Sequence, residues 1–410
     1  MKAYRILSMD GGIGNNTATV LRMISAELKK RATEGQVTDP ITKELVNKTH
    51  FLDYVNLYAG TSAGGINSLF LANQISSENA IDTIDAFWKQ INFSLAAGLL
   101  PGSILDLILN PVGFMVELAL KLTGFRSVLQ NTYYLNALRA NFDGKTLYDL
   151  EKNVCLVSFK LDNEKINDPA SRKWKPKIFN NFLKDDDNKE FIVDVALRTS
   201  ALPIELPIVQ SSVTQTGPGY VDGALVANNP SMVALAQILH EKRKDPPGHF
   251  KEIEREHILM LSLGTGANLI GQASYVAPTF TGGIASWGVN EWLLGAGNPP
   301  WLPNLWLDNL LKGQWLLAIQ AFLTASDDAI QFETEQLLEK GQYFRLNPST
   351  TGPFGVNQEK TAAEVNKAVD WLLKSGWFDD GFNIGADGDT VSWGENYGPI
   401  LARKLKKPPA

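Results

Sequence analysis

In Leu57-Tyr58-Ala59-Gly60-Thr61-Ser62-Ala63-Gly64-Gly65-Ile66 an apolar run meets a glycine-rich break and then resumes as a helix former. The run from Tyr54 to Ala59 predicts a buried strand, and the residues through Asn73 predict a helix. Gly60-Thr61-Ser62-Ala63-Gly64 is therefore G-x-S-x-G at a strand-to-helix turn, the setting in which that pattern has mechanical meaning. Gly60 and Gly64, two residues to either side of the serine, leave room for a tight turn that lifts Ser62 Oγ clear. Free N–H groups and the dipole at the helix N-terminus favour the negative charge that develops in acyl transfer. A glycine-rich packing turn would look the same, so the rest of the chain has to decide.

Two other strand ends bear on it. Tyr4 to Met9 predicts a strand, Asp10-Gly11-Gly12-Ile13-Gly14 a loop, and a helix follows from about Thr17 with Val20, Leu21, Ile24 and Leu28 on one face. The loop has neither the G-x-x-x-x-G-K-[ST] of a phosphate loop nor the spacing of G-x-G-x-x-G. It is either a plain turn or, beside a serine elbow, an oxyanion hole built from N–H groups near Gly11 and Gly12. Gly219 to Leu225 reads as a strand that ends in Asp222 and Gly223, after which Asn228-Asn229-Pro230-Ser231 opens a helix to about His240. Val154–Leu161 and Ile258–Leu263 are further strands, the second closed by Gly264-Thr265-Gly266, and a helix spans about Ile192 to Ser200. Strands alternating with helices over 4–266 predict an α/β fold with a largely parallel sheet covered on both faces. In such sheets ligands bind outside the carboxyl ends of the strands, where Asp10, Ser62 and Asp222 all fall.

A serine nucleophile needs a base. The order Ser62, Asp222 and then His240, His249 or His257 is the α/β-hydrolase order, so a triad is one reading. Against it, His240 sits late on a helix, and His249 and His257 flank a charged stretch at the far end of the next strand. The other reading makes Asp222 the base directly, which works if burial raises its pKa towards the working pH.

Composition narrows the field. The chain has 410 residues, 44% of them hydrophobic and 20% charged, as in an ordinary globular protein. A net charge of −6 argues against nucleic acid as the partner and predicts that anionic lipids are repelled. One cysteine, Cys155, excludes an internal disulfide and fits a reducing compartment. Four histidines without H-E-x-x-H give no zinc-hydrolase signature, and neither a metal nor a cofactor is predicted. Asp185-Asp186-Asp187 lacks the alternation of a calcium loop and reads as a charged turn. The start at Met1-Lys2 shows no signal peptide, and no apolar run is long enough to span a membrane, so the expected location is cytoplasmic or peripheral to a membrane.

Three further segments are set apart by composition. The core runs over 4–268 and carries an apolar, proline-interrupted insertion at about 93–130. Residues 269–326 hold Trp287, Trp292, Trp301, Trp306 and Trp315, half of the chain's ten tryptophans, and read as a cap that either packs on the core or meets a lipid interface. Residues 327–410 predict a mostly helical extension packed on the core, with helices at about Asp327–Lys340 and Lys360–Lys374, a strand at Tyr343–Leu346, and a basic end.

Taken together, Asp10-Gly11-Gly12, Gly60-Thr61-Ser62-Ala63-Gly64-Gly65, Thr199-Ser200-Ala201-Leu202-Pro203, Asp222-Gly223-Ala224, Asn228-Asn229-Pro230 and Ser262-Leu263-Gly264-Thr265-Gly266 make the sequence resemble the patatin-like phospholipases. The resemblance covers about 4–268. It implies a three-layer α/β/α fold, a Ser62–Asp222 dyad, metal-free hydrolysis of acyl lipids at a membrane surface, and an oxyanion hole at Gly11, Gly12, Ile13 and Gly14. The family's loop usually reads Asp-Gly-Gly-Gly, an apolar residue, a basic residue and Gly. Here those positions are Asp10, Gly11, Gly12, Ile13, Gly14, Asn15 and Asn16, so the third glycine, the basic residue and the last glycine are missing, unless a one-residue shift lets Gly14 stand in. Two functions follow: a serine lipid acyl hydrolase, or a non-catalytic lipid- or protein-binding relative.

Overall fold

Seven strands form one sheet: β1 (Tyr4–Met9), β2 (Leu57–Thr61), β3 (Asn153–Lys160), β4 (Lys175–Asn180), β5 (Tyr220–Asp222), β6 (Ile258–Leu263) and β7 (Tyr343–Leu346). The computed structural model describes residues 3–99 except 75, 132–163, 171–182, 186–203, 206–211, 217–243, 250, 253–266, 317–351 and 355–379. Its helices are α1 (Gly14–Thr33), α2 (Pro40–Lys48), α3 (Ala63–Asn73), α4 (Ser77–Leu99), α5 (Thr132–Phe142), α6 (Ile192–Ser200), α7 (Ser231–Lys242), α8 (Leu317–Leu337) and α9 (Gln358–Lys374).

The sheet order is β4-β3-β2-β1-β6-β7, and every pairing from β3 through β7 along this path is parallel. β1, β2 and β6 are buried along their whole length, as strands with helices on both faces must be. Alternate residues point to opposite cores. Leu7, Met9, Tyr58, Leu156 and Leu261 join the cluster under α1, α3 and α4, whereas Ile6, Leu57, Ala59, Cys155 and Met260 join the one under α7. The result is a three-layer α/β/α sandwich.

β3 is where the sheet departs from plain parallel order. β4 runs antiparallel along one edge of β3, pairing Cys155 to Lys160 with Asn180 to Lys175. The other edge is shared. β2 holds it up to the pair Thr61–Val157, and β5 takes it over from Ser158–Asp222 to Lys160–Tyr220, running the opposite way. β2 and β5 therefore meet head-on beside β3.

Several element boundaries differ from the sequence expectation. The strand before the elbow begins at Leu57 rather than Tyr54, because Phe51–Tyr54 wind into a 3-10 turn capped by His50 and Asp53. The helix after the glycine loop begins at Gly14, and α4 continues to Leu99, into the segment read as an apolar insertion. The rest of that insertion, most of the Trp-rich span and the basic end lie outside the described residues. Within 327–410, β7 joins the sheet beside β6 and so completes it, while α9 packs against α1.

Arg5, on buried β1, is surrounded by carbonyls. Its guanidinium donates to Trp377 O at 2.5 Å, Ala3 O at 3.1 Å, Gly376 O at 3.3 Å and Asp379 O. The chain just past α9 is thereby tied to the middle of the sheet.

Candidate active site

Ser62 caps α3 with φ +54° and ψ −124°, and no other non-glycine among the described residues has a positive φ. The elbow holds this strained geometry because its neighbours leave no alternative. A Cβ at Gly60 would lie 2.4 Å from the Gly64 carbonyl oxygen, and one at Gly64 would lie 2.1 Å from that of Met9. The turn is thus pressed onto the end of β1. From the other side, Ser62 N–H donates to Thr199 Oγ1 at 3.0 Å, and the Thr199 hydroxyl donates to Val157 O at 2.5 Å.

The head-on meeting of β2 and β5 brings the serine to the acid. Ser62 Oγ donates to Asp222 Oδ2 at 2.6 Å, while Asp222 Oδ1 accepts the Ala224 N–H at 2.7 Å. Asp222 is buried and Ser62 half-buried, so the dyad opens on the serine side. Gly223 is packed so closely that a Cβ would lie 2.1 Å from Val157 O. Asp222 does lie at the carboxyl ends of the parallel strands, but its own strand arrives there antiparallel. Beside it stands Tyr134 of α5, which the sequence did not single out. Its phenol is raised by burial, partly relieved by Ser200, and raised further by the charge of Asp222.

The glycine loop abuts the serine: a Cβ at Gly11 would lie 3.1 Å from Ser62 Cβ and 2.5 Å from Asn228 Oδ1. The four residues expected as oxyanion donors are placed differently. Gly11 N–H already donates to Asn228 O at 3.2 Å. Gly14 opens α1 with its Cα against the Trp88 indole, and its carbonyl accepts from Asn67 Nδ2 at 2.9 Å. Gly12, at φ +123°, and Ile13, the N-cap of α1, have N–H groups with no acceptor among the described residues. Thr265 holds the loop from below, its hydroxyl donating to Gly11 O at 2.9 Å.

Asp10 is structural rather than exposed to the cleft. Arg345 of β7 grips it through both terminal nitrogens, one at 2.8 Å, and donates to Ser262 Oγ at 2.8 Å. Arg345 thus brings a positive charge under the loop whose own sequence lacks the usual basic residue. Next to the pair, Asp327 of α8 accepts from Asn228 Nδ2 at 3.0 Å. Burial, then the Asp10 carboxylate, push the Asp327 pKa up to about 7. Sequence reasoning assigned neither Arg345 nor Asp327 a role. The charged turn expected at 185–187 reaches the structure through Asp187, which pairs with Lys177 at 2.5 Å.

No described histidine approaches the dyad. His240 lies at the far end of α7, about 14 Å along the axis from Ser231 at 1.5 Å per residue. His257 precedes β6 at the opposite end of the sheet, His50 caps the turn before β2, and His249 lies outside the described residues.

A family model for the patatin-like phospholipases matches residues 7–235, a stretch that contains Asp10, Ser62 and Asp222. The chain belongs to this family. Among its relatives, a chain from Bacillus subtilis named as a putative sporulation hydrolase is 26% identical over 266 residues, 65% of this chain and 64% of that one. The cGAMP-activated phospholipase of Vibrio cholerae is 26% identical over 71% of this chain and 72% of its own length. A potato protein named as a probable inactive patatin is 26% identical over 70% and 68%. The chain spans slightly under two thirds of the Bacillus relative. Both Arg345 and Asp327 lie beyond the family match.

Proposed function

We propose that this patatin-like protein is a serine hydrolase of acyl lipids that works through a Ser62–Asp222 dyad. The observation that carries the reading is the direct 2.6 Å bond from Ser62 Oγ to a buried carboxylate, at an elbow held open by Gly60 and Gly64. Asp222 accepts the hydroxyl proton as Ser62 Oγ attacks the ester carbonyl. The N–H groups of Gly12 and Ile13 then stabilise the tetrahedral oxyanion. Collapse expels the alcohol, which takes the proton from Asp222 and leaves an acyl-serine. Water enters, gives its proton to Asp222 and attacks the acyl carbonyl; as the bond to Ser62 Oγ breaks and the fatty acid leaves, Asp222 returns the proton to Oγ and restores Ser62. Asp222 Oδ1, already committed to the Ala224 N–H, fixes which oxygen serves as the base.

A fluorophosphonate probe tests the reading. Wild type should label at Ser62 and hydrolyse a short-chain ester. Ser62→Ala should lose both, and Asp222→Asn should fall by about 10²–10⁴-fold, the usual contribution of a general base. His50→Ala, His240→Ala, His249→Ala and His257→Ala should keep most activity. A silent histidine variant would restore the triad. An unlabelled wild type would favour the non-catalytic reading, for which Ile13 in place of a third glycine is the supporting observation.

A further inference from the structure

The hairpin of β3 and β4 rises past the dyad. Lys160 pairs with Lys175 and with Tyr220, two residues beyond the pair Ser158–Asp222. Trp174 is one residue further, so it stands about 10 Å above the level of Asp222 at ~3.3 Å per residue, on the end of the sheet where the dyad opens. It is 73% exposed, touching Phe159 edge-on with ring centroids 6.3 Å apart. Arg172, Lys173 and Lys175 flank it, all exposed. Arg172 pairs with Asp162, whereas Lys173 and Lys175 form no ion pair with any described residue.

One more apolar side chain stands on the same rim. Ile208, 60% exposed, packs over Gly219, whose carbonyl accepts the Leu161 N–H at 2.8 Å and so lies level with Leu161, just past the end of β3. A large indole left in water beside exposed lysines, with no ion pair among the described residues, suits the headgroup level of a bilayer, where the ring is half-buried and the ammonium groups meet phosphate. We propose that Arg172, Lys173, Trp174 and Lys175, with Ile208, form a docking surface for an anionic lipid bilayer that turns the Ser62 cleft towards its substrate. The proposal rests on the acyl-lipid reading above and names the surface that reading requires. It also revises the expectation of repulsion from net charge. With a Debye length of about 8 Å at physiological salt, the ribbon's local charge governs contact, and acidic residues elsewhere are screened.

Vesicle sedimentation with phosphatidylcholine alone and with added phosphatidylglycerol tests it. Wild type should prefer the anionic vesicles and lose that preference in high salt. Lys173→Glu with Lys175→Glu should weaken binding by at least about tenfold, and Trp174→Ala should weaken it on both vesicle types. All these positions are exposed, so the Tm and the turnover of a soluble short-chain ester should match wild type. Unchanged anionic-vesicle binding in both variants overturns the proposal. So does a Trp174→Ala variant that binds normally while the lysine reversal abolishes binding to vesicles and to single-stranded DNA alike, which would make the ribbon a general polyanion site. If wild type binds anionic vesicles through these residues but hydrolyses no ester, the hydrolase reading fails and the docking surface stands.

Discussion

Asp327 shows how one residue outside the dyad can tune the site. Its carboxylate faces Asn228, Asp10 and Arg345, and its pKa of about 7 lies well above the roughly 3.9 of a free aspartate. The folded state therefore binds the proton more tightly, and stability falls as pH rises from about 4 to about 7, by at most roughly 1.4 kcal/mol per unit. Asparagine at this position cannot ionise but still accepts from Asn228. Asp327→Asn should match the wild-type Tm near pH 4 and exceed it at pH 8, with the gap opening between. A gap independent of pH would show that ionisation is not the cause. Ser62 and Asp222 were legible in the sequence because each sits in a short pattern whose glycines announce the turn. Asp327 and Arg345 were not. They reach the loop from 317 residues or more downstream of Asp10, and nothing in Tyr343–Leu346 beyond strand propensity marks the arginine. The occupied N–H of Gly11 was equally hidden, since its acceptor is a backbone carbonyl at Asn228.

At the scale of elements, the dyad depends on two strands sharing one edge. β2 stops at Thr61 and β5 ends at Asp222, so β3 is the ruler that sets the distance between the Ser62 hydroxyl and the Asp222 carboxylate. Gly223→Ala tests this without touching either group. Its Cβ would lie 2.1 Å from Val157 O, a backbone atom that cannot swing aside. The strand must move, so kcat should fall by about tenfold or more, with a loss of about 1–3 kcal/mol in stability from overpacking. Unchanged kcat in a folded protein would show that the β5–β3 register does not set the catalytic distance. Alternation of strand and helix was enough to read the parallel sheet and the end at which the site lies. The direction of β5 was not readable, because a three-residue strand carries no periodicity and its pairing to β3 is purely tertiary.

Across the whole molecule, Arg5 makes the central strand depend on the segment after α9. Removing that segment would take the Gly376, Trp377 and Asp379 carbonyls from a buried guanidinium, at a cost of up to about 3–5 kcal/mol if breaking a buried charge pair is the guide. A chain ending at Ser375 should therefore melt well below the full chain. Arg5→Met should destabilise the full chain, whose carbonyls lose their donor, yet raise the Tm of the shortened one. The same sign in both backgrounds would show that Arg5 is not answering to that segment. The tie also bears on synthesis at the ribosome. Arg5 and Asp379 are 374 residues apart, which at roughly 5–20 residues per second separates their emergence by about 20–75 s. For that interval the nascent chain holds an unsettled central strand, and Asp10 at its tip waits 335 residues for Arg345. A chain broken off between Asp222 and Arg345 carries both Ser62 and Asp222 but lacks the clamp beneath the glycine loop, so translation itself withholds the support of that loop until β7 has emerged.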